Sequence, residues 1–134
     1  MIQKFRVWDT VKKAMSEVQA IVYTEERVYP VYSKAIRRYI PFSEAVLMQS
    51  TGLVDVNGKE IFEGDVVEST WFKGYDDCVG YRKAGVVVYR DGCFRIEYPG
   101  EEEKGYFSIT LKFAVSVEII GSIYENPELV EELE

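Results

Sequence analysis

The side chains that could carry chemistry in this sequence are carboxylates, lysines, tyrosines and two cysteines, because the chain contains no histidine. Without histidine, the chain cannot build a Ser-His-Asp or Cys-His catalytic arrangement. It also lacks the commonest zinc ligand and the usual proton shuttle near neutral pH. An enzyme built on this chain would have to use the remaining groups.

Carboxylates lie close together at three places, Asp76–Asp77, Glu60 with Glu63, and Glu101–Glu103. Acid/base catalysis of the glycosidase type requires two carboxyl groups that face each other across a bond, whereas neighbours in a polar loop point into solvent. Ca²⁺ needs several oxygen ligands, but the EF-hand pattern is absent. The sequence therefore predicts no catalytic residue, no metal site and no cofactor.

The segment TGLVDVNGKEIFEGDVV, residues 51–67, could be a ligand loop or a structural turn. Glycine-rich turns can present backbone N–H groups to an anion. A P-loop, however, has Ser or Thr after its lysine, and here Glu60 follows Lys59. The acidic residues of the segment would also repel phosphate. We interpret the segment as turns that launch a β-strand.

Specific residues carry these turns. The Asn57-Gly58 pair predicts a type I′ turn, in which both central residues need positive φ. Gly64 predicts a second turn, and we expect Asp65 to accept a local backbone N–H. The structural residues of the motif are then Gly52, Asn57, Gly58, Gly64 and Asp65.

A basic-aromatic cluster combines Tyr32, Lys34, Arg37, Arg38 and Tyr39. Nucleic-acid contact is one interpretation, because aromatic rings stack on bases and cations contact phosphate. The cluster could equally be a solvated surface, or it could contact the acidic half of a neighbouring subunit.

Charge is distributed unevenly along the chain, whose net charge is −7. Residues 1–60 hold 9 Lys/Arg and 7 Asp/Glu, a net of +2, whereas residues 61–134 hold 7 and 16, a net of −9. An acidic protein repels the phosphate backbone, so nucleic acid is a disfavoured partner. The asymmetry instead gives a physical reason for self-association.

Two features predict a cytoplasmic protein. The sequence has no apolar run long enough to span a membrane, and the first ten residues carry charges where a signal peptide would be apolar. Cys78 and Cys93 are then expected to be reduced thiols, although neighbouring strands could bring them close together.

Alternating apolar and polar residues predict mainly β structure. Residues 4–9 and 18–24 should form a hairpin, and residues 84–98 a second one around Asp91-Gly92. Residues 107–119 alternate throughout. Because a strand of that length would be too long for a domain of this size, we expect a bend or break near residues 114–116.

Helical signals are few. Residues 35–39 could form a short helix that Pro41 would end, and residues 45–49 fit a strand or a helix. A short C-terminal helix over 127–134 is predicted, with Asn126 as its N-cap. The expected fold is mainly β: residues 51–134 form a small antiparallel SH3-like barrel or a strongly bent sheet, with that helix. Residues 1–50 add a hairpin and connecting segment packed on it, unless the chain is one continuous domain.

Three ordered motifs give the sequence a family resemblance. KFRVWD at 4–9 with KKAM at 12–15, LMQSTGLVDVNGKEIFEGDVV at 47–67, and VEIIGSIYENPELVEE at 117–132 are similar to the YopX family of phage and prophage proteins. The resemblance implies a mostly β accessory protein in the bacterial host cytoplasm, with no assigned catalytic residue to carry over.

The leading hypothesis is a non-enzymatic protein that acts by protein–protein contact, with itself as a homo-oligomer, with a host or phage protein, or with both. The alternatives are a nucleic-acid-binding module, which would use Lys34, Arg37, Arg38 and Tyr39, and a carboxylate-based enzyme. The first alternative predicts a salt-dependent contact, and the second predicts a deep pocket with buried acids.

Overall fold

The computed structural model describes residues 3–31, 34, 36–72, 74, 76, 78–99 and 108–131. The chain divides into two compact units, Met1–Ser50 and Thr51–Glu134. Both consist mainly of antiparallel strands, so the predicted mainly β class is confirmed. Among the described residues no helix has the length and apolar character needed to cross a bilayer.

The first unit is an antiparallel sheet with strand order β4-β3-β2-β1-β5. Its strands are β1 (Phe5–Asp9), β2 (Ala14–Val22), β3 (Arg27–Pro30), β4 (Ile40–Pro41) and the beginning of β5 (Ala45–Val54). The predicted N-terminal hairpin is confirmed, because β1 pairs with β2. β1 also pairs with β5.

The core of the first unit is formed by Val7, Val28 and Ile40, which are completely buried. Ile40 pairs with Val28, and this long-range contact explains why the predicted short helix is wrong. Residues 34 and 36–39 form a turn and bends, while Tyr32 and Ala35 lie outside the described residues. A residue before proline favours extended backbone, which suits the pairing of Ile40.

The second unit contains the end of β5 and six further strands. These are β6 (Glu60–Phe62), β7 (Asp65–Trp71), β8 (Tyr81–Arg90), β9 (Cys93–Glu97), β10 (Ser108–Thr110) and β11 (Val115–Ser122), followed by helix α1 (Pro127–Glu131). The strand order β10-β9-β8-β7-β11 leaves β10 and β11 at opposite edges. Within the described residues, the sheet is therefore open and does not close into a barrel.

The core of the second unit is centred on Ile61, Val67, Val87, Ile96, Tyr98 and Leu111. The predicted hairpin is confirmed, with Asp91 and Gly92 both at positive φ between β8 and β9. Burial raises the pKa of Tyr98. The Tyr98 hydroxyl lies 2.9 Å from Ser69 Oγ and accepts the Trp71 Nε1–H at 3.0 Å, so the polar groups of this core are paired.

The long alternating segment is interrupted, as predicted. A 3₁₀ turn, Leu111–Phe113, separates β10 from β11. Beyond it, Ser116 has a φ of 52° and the pairing with β7 shifts register. Arg82 Nη1 donates to the Ser116 carbonyl at 2.6 Å and to Thr70 Oγ1 at 2.9 Å, which ties the bulge to β7.

Helix α1 begins at the predicted Pro127 and is described to Glu131, while residues 132–134 of the prediction lie outside the described residues. The Asn126 side-chain oxygen accepts the Ser122 N–H at 3.3 Å, and its carbonyl accepts the Leu129 N–H at 3.0 Å. Asn126 therefore links the helix start to the end of β11.

We expect Gly85→Ala to lower the free energy of unfolding by about 2–3 kcal/mol, because overpacking a dense core is costly. An added Cβ would lie 2.6 Å from both the Glu97 carbonyl oxygen and Ile96 Cγ2. Gly74→Ala is the matched control, since nothing lies within 4 Å of its Cβ position. Urea unfolding followed by tryptophan fluorescence measures both, and equal midpoints would contradict the prediction.

Candidate functional site

The turn at residues 55–59 differs from the type I′ turn that Asn57-Gly58 predicted. The Gly58 N–H donates to the Asp55 carbonyl at 3.0 Å, so Val56 and Asn57 are the central residues. Gly58 has a φ of 79°, whereas Asn57 is not in the left-handed region. Positive φ is therefore needed only at Gly58, which follows the two central residues. In the predicted turn, Gly58 was itself the second central residue.

Asp55 ties this turn to β11. It is 6% exposed, and its Oδ1 accepts the N–H groups of Asn57 and Lys59, each at 2.9 Å. Its Oδ2 accepts the Ile119 N–H at 3.0 Å, and the Val56 N–H donates to the Val117 carbonyl at 2.9 Å. Both oxygens of the Asp55 carboxylate therefore accept backbone hydrogen bonds, which stabilise the turn and its contact with β11.

Asp65, Gly64 and Gly52, the other residues of the motif, also have structural roles in the turns. Asp65 is 2% exposed, and its Oδ2 accepts the Phe62 N–H at 2.8 Å. Gly64, at a φ of 88°, donates its N–H to the Val87 carbonyl and accepts the Ile123 N–H. Gly52 has a φ of 78°. These contacts support a turn that launches β7.

Acid should weaken the fold through Asp9 and Asp55. Burial raises the pKa of Asp55, but hydrogen bonds from Ile119, Lys59 and Asn57 outweigh it and hold the pKa below its usual range. The pKa of Asp9 is also lowered, because the Arg37 hydrogen bond and two backbone N–H groups outweigh burial. A carboxyl with a lowered folded pKa stabilises the fold above its unfolded pKa, and that contribution is lost as pH falls through the folded value.

We therefore expect the urea midpoint to fall as the pH drops below about 4. The Asp55→Asn variant should lose less stability over the same acid range, because one of the titrating groups is gone. Urea titrations at successive pH values measure both curves. Parallel curves for the variant and the wild type would contradict the assignment to Asp55.

The predicted basic cluster is divided by the structure. Arg37 donates from Nε to Asp9 Oδ2 and from Nη2 to Asp9 Oδ1, both at 2.8 Å, and from Nη1 to Glu44 Oε2 at 2.7 Å. Asp9 is completely buried and also accepts the N–H groups of Val11 and Lys12. The Arg37 guanidinium therefore forms its ion pairs with carboxylates of the first unit.

The other cluster members lie on the surface. Lys34, Arg38 and Tyr39 are exposed. The Arg27 guanidinium lies 4.0 Å from the centre of the Tyr39 ring, so this ring already has a cationic partner. Without Arg37, the exposed cations of the predicted cluster are Lys34 and Arg38, so its basic surface is smaller than the sequence predicted.

The structure describes only some of the candidate acid/base groups. Asp77 and Glu101–Glu103 lie outside the described residues, and Asp76 is exposed. Within the described part of the chain, no three His, Cys, Asp or Glu side chains could share a metal ion. Cys78 and Cys93 are free thiols, Cys78 being exposed and Cys93 half-buried.

An apolar cleft in the second unit was not predicted. It consists of two adjoining cavities of about 290 Å³ and about 500 Å³, which share Leu53, Leu111 and Lys112 in their walls. The smaller cavity is also lined by Val54, Asp55, Val56, Ile61, Ala114, Ser116 and Val117, and the larger by Thr51, Cys93, Phe94 and Thr110.

Exposed apolar side chains lie on or beside the cleft. Val54 is 61% exposed and Val56 59%. Phe113, beside the cleft residue Lys112, is 67% exposed, although the alternating pattern had placed it on the same face as Leu111. The 3₁₀ turn breaks that alternation, which is the physical reason that the pattern misplaced this ring.

Comparisons with known proteins agree with the motifs. The family model described as "YopX protein" matches residues 4–131. The crystal structure of protein EF1440 from Enterococcus faecalis is similar with a TM-score of 0.65 and 31% identity, covering 97% of this chain and 99% of that one. Among curated proteins none matches significantly.

A second solved structure, protein yopX from Bacillus subtilis, is similar with a TM-score of 0.59. It is 22% identical, and the match covers 94% of this chain and 96% of that chain. At that identity the likeness concerns the fold.

Proposed function

Because the chain belongs to the YopX family, we propose that it is a phage- or prophage-encoded accessory protein that acts by binding other proteins. It is non-enzymatic, works in the bacterial host cytoplasm and associates with further copies of itself. The observation that carries the proposal is the apolar surface around the cleft of the second unit.

Exposed apolar groups that cluster together are typical of protein-binding surfaces. Leu53, Val54, Val56, Phe113 and Val115 are between 39% and 67% exposed, and all belong to the cleft or to the adjoining chain segment. Ordinary surfaces carry such residues singly. A partner that covers them would remove this apolar area from water, at about 25 cal/mol per Å².

Charge supports self-association. The first unit holds 8 Lys/Arg and 5 Asp/Glu, a net of +3, and the second holds 8 and 18, a net of −10. Opposite charges on different surfaces favour a contact between the first unit of one copy and the second unit of another. Such a contact weakens as salt screens it.

Nucleic-acid binding is less well supported. Arg37, the central cation of the predicted patch, is bound to Asp9 and Glu44. A carboxylate enzyme has equally little support, because the buried Asp55 and Asp65 use their oxygens for backbone N–H groups.

The test combines light scattering with affinity capture. We expect the purified protein to exceed its monomer mass of 15.5 kDa at low salt, and to retain a host or phage protein from infected-cell lysate after nuclease treatment. Val54→Asp with Phe113→Asp should abolish that capture, whereas the control Val79→Asp, at an 84% exposed position, should not. A monomer with no nuclease-resistant partner would contradict the proposal.

A further inference from the structure

We infer that the apolar cleft of the second unit binds an extended segment of a partner protein in which an acidic side chain neighbours large apolar ones. The inference rests on the proposed function and specifies the chemistry of the partner. Its two parts are an apolar cleft that accepts the large side chains and a pair of cations that select the acidic one.

The cleft is suited to an apolar side chain. The larger cavity, about 500 Å³, presents Leu53, Phe94 and Leu111, and a volume of this size falls within the range of typical ligand pockets. The smaller cavity continues it with valine side chains. Apolar anchors that fill such pockets supply most of the affinity in protein recognition.

Lys112 in the cleft walls and Arg95 beside the cleft have no acidic partner among the described residues. Lys112 lies in the walls of both cavities, and its Nζ lies 5.1 Å from the centre of the Phe113 ring. Arg95 donates to two cleft residues, Thr110 Oγ1 at 3.3 Å and Cys93 Sγ at 3.8 Å, and to Ser108 Oγ at 3.1 Å.

Other cations of the unit do have acidic partners, in a unit whose sequence holds 18 acidic residues and 8 cations. Arg90 Nε lies 2.6 Å from Glu97 Oε1, and Arg82 lies within 4.0 Å of both Glu68 and Glu118. Arg82 and Arg90 are therefore neutralised, whereas within the described residues Lys112 and Arg95 have no carboxylate beside them that would compete with one from a ligand. Charge complementarity of this kind sets specificity and register more than raw affinity.

A protein segment fits the surface better than a nucleic acid. A net charge of −10 on the unit repels every phosphate of a nucleic-acid backbone. A single acidic side chain needs only one local contact with Lys112, since charges beyond a screening length of about 8–10 Å act weakly, and Asp55 in the cleft wall is already hydrogen-bonded to three backbone N–H groups. The exposed valines and Phe113 extend the apolar area beyond the cavities. This larger area can contact several side chains of one protein segment.

The walls of the cleft are held in place before a ligand arrives. Asp55 fixes the Val56 turn to β11, and Arg82 fixes the Ser116 carbonyl. Preorganised walls reduce the entropic cost of binding. The segment should therefore dock without a rearrangement of the sheet.

The test uses the 134-residue chain and random linear peptides displayed on yeast. We expect enrichment of peptides that carry Leu, Phe or Val next to Asp or Glu. Lys112→Glu should weaken the binding of an enriched peptide by about tenfold or more, measured by fluorescence anisotropy. Lys12→Glu, which makes the same charge change at an exposed position of the first unit, should leave the affinity unchanged.

The second part of the test exchanges the charges of the peptide and of residue 112. An enriched peptide whose acidic residues are replaced by lysine should bind the Lys112→Glu variant better than the wild type. Enriched peptides without acidic residues, an affinity insensitive to Lys112→Glu, or tighter binding of a single-stranded DNA oligonucleotide than of the enriched peptides in the same anisotropy assay would overturn the inference. These results do not depend on light scattering or lysate capture, so failure of the inference is distinguishable from failure of the proposed function.

Discussion

Arg37→Ala should lower the free energy of unfolding by about 3–4 kcal/mol, because it leaves the completely buried Asp9 without its charged partner. Two of the three guanidinium contacts go to that carboxylate, at 2.8 Å each. Val11 and Lys12 would still donate to Asp9 Oδ1, but no positive charge would remain beside it. Urea unfolding monitored by circular dichroism measures the loss.

Arg38→Ala is the matched control for this experiment. Arg38 is the next residue, exposed and of the same type, so we expect a change within about 0.5 kcal/mol. Arg37→Lys should lie between the two, because lysine keeps the charge but loses the bidentate geometry. Equal stability of the two alanine variants would show that the Asp9–Arg37 pair contributes little.

Asp55→Ala is the second change with a large expected effect, about 3 kcal/mol. The substitution removes three hydrogen bonds to a charged acceptor at a 6% exposed position, and each newly unsatisfied N–H group carries a desolvation cost. Amide hydrogen exchange gives a local measurement. Ile119 should lose protection by more than the global change in stability explains, because Asp55 Oδ2 accepts its N–H.

Two variants control the Asp55 experiment. Asp76→Ala removes a carboxylate from an exposed loop position and should leave both the unfolding midpoint and Ile119 exchange unchanged. Asp55→Asn keeps the shape of the side chain and should destabilise less than alanine. If Asp55→Ala unfolds at the wild-type midpoint, the carboxylate does not hold the turn to β11.

Some local signals in the sequence predicted local structure correctly. Asp91-Gly92 forms a hairpin turn because the two residues tolerate positive φ and the flanking strands pair with each other. An interruption near residues 114–116 was expected from length alone, since an uninterrupted strand would not fit the domain; the structure has a 3₁₀ turn at Leu111–Phe113 and a positive φ at Ser116. The ordered motifs likewise identified the family.

Features that depend on distant residues were missed. Nothing near Arg37 in the sequence indicates that it pairs with Asp9, 28 positions earlier, so its charge suggested a ligand surface. Ile40 pairs with Val28 on the neighbouring strand, and this pairing outweighs the helical signal of residues 35–39. The cleft combines side chains from β5, β9 and the segment after β10, and its existence depends on a tertiary arrangement that periodicity does not encode.

Chain order also sets when each unit can fold during synthesis on the ribosome. The first unit is complete once residue 50 has emerged, because β1 pairs with β5 and all of its internal contacts lie within Met1–Ser50. The second unit must wait, since Asp55 has to meet Ile119, 64 positions later. Domains generally fold as units during synthesis, N-terminal first, and nascent chains should therefore gain protease resistance in two separate steps.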